Sequence, residues 1–359
     1  MLKRRSFLLG IGTTLTFHSA QGRQKPSSLI KPLALNGSIA FCYSGPKADG
    51  GWGTNHEQGI ATAIKSFPKL NVVSIENVPY SVHASRLFRY LVAEGVQMIV
   101  TDSNYDNFLR TVSDHAPQVS FLECNGHATT SNLGWFYLDH WYAFYIYGYV
   151  AALTSKTNKL GFISSFPIPS VYAAVNAIVL GAQRINPNIQ MQVIHVGSWF
   201  NPKVTIQAAN ALCDNQCDVL FGLVNDASYL RVAEKRNVKA ILYHNTTPQT
   251  SNAYMSSITC DFSNFYLQQL QNRVNGTWGT GSTFLKFGRD YDLSKWGGSV
   301  PAEVRRQASE LRKTILQGRN PFKGPIYDHL GKLKIDPGVE MQDADLYRWN
   351  WAVQGVVGL

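Results

Sequence analysis

The chain has 359 residues, 45% hydrophobic and 16% charged, which is enough apolar material for two globular lobes and too much for a disordered chain. The formal net charge is +10, but Lys3, Arg4 and Arg5 fall in the first 22 residues, which carry no acid, and the rest of the chain stands at +7. Its Lys and Arg are scattered, with no basic block interleaved with aromatics, which argues against nucleic acid as a partner.

The N-terminus, MLKRRSFLLGIGTTLTFHSAQG, combines a positive start, an apolar stretch from Phe7 to Phe17 and small residues from Ala20 to Gly22. That pattern predicts a signal peptide over residues 1–22. The order Arg4-Arg5-Ser6-Phe7-Leu8 resembles the twin-arginine consensus, which exports folded proteins; an ordinary Sec signal is the alternative. The apolar stretch is too short to span a bilayer. No cysteine precedes Cys42, so the mature chain is expected not to be lipid-anchored, and to be soluble in the periplasm or outside the cell. Cys42, Cys124, Cys213, Cys217 and Cys260 are an odd set, without C-x-x-C, and are expected as free thiols. The histidines are dispersed, so neither a metal site nor a cofactor is expected.

Strand-length apolar runs lie near 38–43, 72–76, 96–101, 119–122, 160–164, 191–196, 218–222, 239–243 and 256–260. Helical periodicity alternates with them near 54–67, 83–94, 105–115, 140–153, 170–185, 203–213, 227–236, 262–275 and 301–317. Repeated strand–helix–strand units predict an α/β fold with two doubly wound, mainly parallel sheets. The two series meet at WFYLDHWYAFYIYGYVAAL, where nine aromatics crowd into residues 135–149. Its uncharged part is shorter than a bilayer span and rich in Tyr and Gly, so it reads as a buried strand followed by a buried helix. A polar stretch, NGTWGTGSTF over 275–284, reads as an exposed turn.

Ligands of such sheets sit beyond the carboxyl ends of the strands. That singles out the loops 50–56, 101–107, 164–169, 197–202, 223–228 and 242–247, and the strand end at Asp261. The first of them lies in FCYSGPKADGGWGTNHEQG, residues 41–59, where a strand breaks into a glycine-rich loop carrying Trp52. It lacks the Gly-Lys-Ser/Thr ending of a phosphate loop, and His56 stands where a dinucleotide fingerprint needs its third glycine. Thr54 and Glu57 have capping-box spacing, which predicts a helix start at Thr54 with Trp52 still in the loop. A flat ring presented there suits the clamping of something planar.

The pieces AFCYSGPKADGGWGTNHEQG, ENVP, SFPIPSVYAAVNAIVLGAQRINP, GSWFNP and GTW with a late GPI resemble the basic membrane protein family of ABC-transporter solute-binding proteins, the group that contains purine nucleoside receptors. The branch resembled has adenine-like ligands, and the resemblance runs from about residue 37 to 359. It implies a two-lobe periplasmic-binding-protein fold of the nucleoside-receptor type, with a ligand cleft between the lobes and an ABC transporter permease as partner. The first lobe is expected over 37–139 with about 262–297, the second over 140–261 with about 298–359. The resemblance also implies a purine sandwiched between Trp52 and Trp199. The chain departs from the family at Asn201, where an aspartate is common, at Tyr243-His244-Asn245-Thr246, which replaces an acidic turn, and at Asp261, where nucleoside receptors carry lysine.

The candidate ligand-binding residues are thus Trp52, His56, Ser103, Asn104, Phe166, Trp199, Asn201, Asn225, Asp226, His244 and Asp261. Several have a structural alternative: Asp226 and Asp261 are placed to cap the helices that follow them, Phe166 to act as a structural wedge beside Pro167, and Trp199 to pack at a helix start. An exported enzyme acting on nucleosides is the competing reading, but there is no nucleophile elbow, metal cluster or close acidic pair. The signal can be tested directly. Replacing Arg4 and Arg5 by lysine is expected to abolish export on the twin-arginine route, scored by fractionation; normal export of that variant assigns the chain to Sec.

Overall fold

The computed structural model describes residues 30–244 and 250–359. The expected signal at 1–22, and Asn245 and Thr246 of the last loop, lie outside the described residues. The first lobe opens with β1 (Ser38–Cys42), α1 (Trp52–Ala63), β2 (Asn71–Ile75) and α2 (Val82–Ala93). It continues through β3 (Val96–Thr101), α3 (Asn107–Asp114), β4 (Ser120–Cys124) and β5 (Leu133–Leu138). The second lobe follows with α4 (Trp141–Thr154), β6 (Lys159–Ser164), α5 (Pro169–Gln183), β7 (Gln190–His195) and α6 (Pro202–Asp214). Its remaining strands are β8 (Val219–Leu223), β9 (Lys239–Leu242) and β10 (Tyr254–Cys260), with α7 (Ser228–Lys235) between the first two.

The chain then returns to the first lobe with α8 (Ser263–Val274) and β11 (Ser282–Leu285), and crosses back with β12 (Tyr291–Leu293) and α9 (Ala302–Leu316). A short hairpin, β13 (Ile326–Tyr327) and β14 (Leu333–Ile335), precedes α10 (Asp343–Tyr347) and β15 (Val356–Val357). The first sheet runs β11-β5-β4-β3-β1-β2 and is parallel throughout. The second runs β12-β10-β9-β8-β6-β7-β15, with only β12 antiparallel. Two doubly wound sheets were expected, and two are found. A central strand such as β8 is buried on both faces, which is why it reads as a continuous apolar run without alternation. Gly95 and Gly318 end α2 and α9 with φ of +81° and +97°.

The stretch 275–284 is only partly a turn, because Ser282–Leu285 adds to the edge of the first sheet beside β5. A four-residue edge strand with two exposed residues carries too little periodicity to be seen in sequence. The two-residue and three-residue strands of the C-terminal tail went unread for the same reason. Trp52, expected in a loop, is the first residue of α1. The Asp49 carboxylate draws the glycine loop into the helix by accepting from the amides of Gly51, Gly53 and Thr54 at 2.7, 2.9 and 3.0 Å. Glu57 makes no capping box; it accepts from Tyr43 Oη at 2.7 Å and pairs with Lys47.

Three segments cross between the lobes: residues 139–140, 261–262 and 286–290. They are bonded to one another. Asp139 Oδ1 accepts from the Phe287 amide at 3.1 Å, its carbonyl accepts from Tyr291 Oη, and the Asp261 amide donates to Asp290 O at 3.1 Å. The tail adds a strap: Tyr347 stacks on Trp135 of the first lobe at 4.9 Å, while Trp351 O accepts from Asn176 of the second at 2.8 Å.

The aromatic segment is a buried strand and a buried helix, β5 and α4. Its second half crosses α5 at glycines: a Cβ on Gly148 would stand 1.9 Å from Ile178 O, and one on Gly181 2.0 Å from Tyr145 O. Backbone oxygens cannot step aside as side chains do. Gly148→Ala is therefore expected to cost at least ~1–3 kcal/mol, read as a lower urea midpoint at unchanged slope. An unchanged midpoint shows that the two helices part freely.

Candidate functional site

In each sheet the strand order reverses at one pair, β1 and β3 in the first lobe, β6 and β8 in the second. Connections leaving such a pair go to opposite faces and open a crevice beyond the carboxyl ends of the strands. The cleft lies there. Ser44 and Trp52 follow β1, Asp102 and Ser103 follow β3, and Asn125 follows β4. From the second lobe come His140 and Ser170 near the starts of α4 and α5, Trp199 after β7, Leu223 and Asn225 at the end of β8, and Tyr243 after β9. The walls nearly meet: the cavity they enclose is about 20 Å³, room for about one water, against the ~300–1,000 Å³ typical of ligand sites.

Trp52 is 5% exposed, and its indole Nε1 donates to Asp102 O at 2.9 Å. The Asp102 carboxylate accepts from the Ser44 amide at 2.7 Å. Behind it, buried Glu123 accepts from the amides of Tyr105 and Asp106 at 2.6 and 3.1 Å, and so shapes the loop carrying Ser103 and Asn104. Asn104 donates to Asn125 O at 2.7 Å, and its Oδ1 is buried without a partner among the described residues. Tyr347 of the tail donates to the neighbouring Gly126 O at 2.6 Å, so the strap also steadies Asn125.

Of the eleven residues singled out in sequence, Trp52, Ser103, Trp199 and Asn225 line the cleft. Phe166, exposed, meets Trp199 edge-on at 5.9 Å beside it. The others do not line it. His56 is buried between α1 and α8, stacked on Phe262 at 3.9 Å and bonded through Nδ1 to Tyr266 Oη at 2.5 Å. Asn201 caps α6, accepting from the Val204 amide. Asp226 accepts from Thr205 Oγ1 at 2.9 Å and from the Ser228 amide at 3.0 Å, at the start of α7. Asp261 is exposed, and its carboxylate accepts from the amide of Ser263, the first residue of α8, at 2.8 Å. His244 is fully buried with both ring nitrogens unpartnered among the described residues, its ring 5.0 Å from Trp52. Trp52 and Trp199 share the cleft without ring contact among the described residues.

Asp102 stood in the loop already singled out, next to Ser103. Asn125 and His140 follow β4 and β5, so the same strand-end rule applied to those two strands points to them. Ser44, Ser170 and Tyr243 carry no signal beyond their place in strand-end loops.

The fold matches that of an ABC transporter solute-binding protein from Aeropyrum pernix K1, with a TM-score of 0.68 and 16% identity over 87% of this chain and 95% of that one. Two parallel-sheet lobes around a shared cleft thus define the class of ABC solute-binding folds. Residues 37–291 match the Bmp family, described as ABC transporter substrate-binding protein PnrA-like, and the chain belongs to that family. The family is one of solute-binding proteins, which bind small molecules and dock on a transporter permease. A purine-binding protein of Brucella abortus (strain 2308) is 29% identical over 89% of this chain and 92% of its own length. A Haloferax volcanii protein, provisionally named an ABC transporter glucose-binding protein, is 27% identical over 78% and 72%. No described helix is long and apolar enough to cross a membrane.

Burial governs the charges here. It pushes the Asp102 carboxyl up to about 7 against the Ser44 amide bond, and the Glu123 carboxyl up to about 8. It holds His56 down to about 3 and His140 to about 4, while His244 falls well below the usual histidine range through burial and the other two histidines. A carboxyl raised in the folded state binds protons more tightly there, so its contribution is full below the unfolded value and is lost as pH rises through about 7. Asp102→Asn keeps the acceptor for Ser44 and removes the charge. Its stability relative to wild type is therefore expected to rise by ~1–3 kcal/mol between pH 4 and pH 8, measured by urea unfolding at each pH. A difference independent of pH means that Asp102 titrates normally.

Proposed function

We propose that the protein is an exported receptor that captures a purine base in this cleft and presents it to an ABC permease. The observation that carries this reading is Asp102, a buried carboxyl beside the Trp52 indole, in a cleft whose lining, among the described residues, includes neither lysine nor arginine. A carboxylate accepts hydrogen bonds only, so it suits the amino group or ring N–H on the edge of a base. Near its midpoint it also carries a proton it can donate to a ring nitrogen. With no cation among the described lining residues to meet a phosphate, nucleotides are disfavoured. Flatness is read by stacking, worth ~1–3 kcal/mol per base on an aromatic, with Trp52 as one jaw and Trp199, backed by Phe166, as the other. The purine-binding relative supports the same class of ligand. Asp261, exposed and bonded to the Ser263 amide, is not part of this proposal.

Calorimetry with adenine, hypoxanthine, guanine, adenosine, adenosine monophosphate and glucose separates the possibilities. A free base is expected to bind most tightly, the monophosphate not measurably. Asp102→Asn is expected to weaken an amine-bearing base by ~1.5–3 kcal/mol, and a Trp52→Ala, Trp199→Ala double variant to abolish the quenching of tryptophan emission by that base. Binding of glucose alone, or of the monophosphate above adenine, refutes the proposal.

A further inference from the structure

Tyr243 reaches the cleft from the end of β9, and its ring lies on Trp52 with 18° between the planes and 6.0 Å between centroids. Behind it Phe144 of α4 is parallel again, at 11° and 6.2 Å. Tyr243 is therefore the middle ring of a stack that joins the two lobes. The other rings around Trp52 do not stack on it: His56, His244 and Phe262 stand at 75°, 68° and 90°. With 5% of its surface exposed, Trp52 offers no uncovered face to a flat ligand. The backbone presses the same contact. Asn55 Nδ2 donates to His244 O at 3.4 Å, and a Cβ on Gly51 would stand 3.1 Å from that oxygen.

We infer that Tyr243 is an internal competitor for the Trp52 face, which a planar ligand must displace before it can stack there. This rests on the reading that the ligand stacks on Trp52. The apparent affinity of such a site is its intrinsic affinity reduced by the fraction of molecules in which the competitor has withdrawn. The device also selects. A bicyclic heteroaromatic overlaps an indole more fully than a phenol does and can displace it, whereas a puckered sugar ring presents no flat face with which to compete. Tyr243 thus sets a threshold that favours extended planar ligands over saturated rings of the same size.

The test removes the ring in two ways. Tyr243→Ala deletes it, and Tyr243→Leu keeps apolar bulk without a flat face, so that one variant remains if the other folds poorly by circular dichroism. Without added ligand, both are expected to raise acrylamide quenching of the Trp52 emission, isolated by subtracting the same variant carrying Trp52→Phe. With adenine, both are expected to tighten binding by about tenfold, and Tyr243→Phe, which retains a ring, to give a smaller gain. Weaker adenine binding in both Ala and Leu variants makes Tyr243 a ligand contact and overturns the inference, as does unchanged quenching. If no purine base binds the wild type, the ligand reading fails by itself, and the quenching measurement still decides whether Tyr243 covers Trp52.

Discussion

The site depends on one residue that bonds in two directions. Asp102 accepts the Trp52 indole N–H on its carbonyl and the Ser44 amide on its carboxylate, and so ties the connection after β3 to the one after β1. Those are the two strands between which the first sheet reverses. The parting of the chain at the switch point creates the crevice, and the Asp102 bonds keep its two walls in register. The same burial that makes those bonds firm raises the carboxyl toward neutrality. A group held near its midpoint is costly to the fold and useful to a binding site, a common conflict at functional positions.

Around that anchor the molecule is built so that two lobes stay coupled while remaining separate bodies. The three crossing segments are bonded mainly through backbone groups and the carboxylates of Asp139 and Asp290. The last 17 residues (343–359) touch both lobes, through Tyr347 on Trp135 and through β15 beside β7. Among the described residues, the interlobe contact at Trp52, Tyr243 and His244 is aromatic, with Asn55 Nδ2 donating to His244 O beside it. Aromatic contacts of that kind are largely non-directional.

Most of the architecture was legible because each long element carries its own signal. Buried parallel strands are unbroken apolar runs, amphipathic helices repeat every three to four residues, and the alternation of the two types leaves few topologies. The failures are local. Trp52 was placed in a loop because Thr54 and Glu57 imitate a capping box, whereas Asp49 does the capping from outside that window. Asn201, a candidate for ligand contact, and Asp226 and Asp261, candidates for ligand contact or helix capping, all accept backbone amides at helix starts. A short polar side chain at a strand-to-helix junction has the same spacing whether it meets a ligand or an amide.

By itself the sequence determined two α/β lobes, and it determined that the crevice between them lies at the strand ends, since both follow from periodicity and the winding of parallel sheets. Only the tertiary structure decided which strand-end side chains face the cleft. His56 turns into the seam with α8, Asp102 turns toward Ser44, and Tyr243 arrives on Trp52 from 191 residues away. Orientation at a junction is set by what packs against it from the other lobe, and no local pattern of residues encodes that contact.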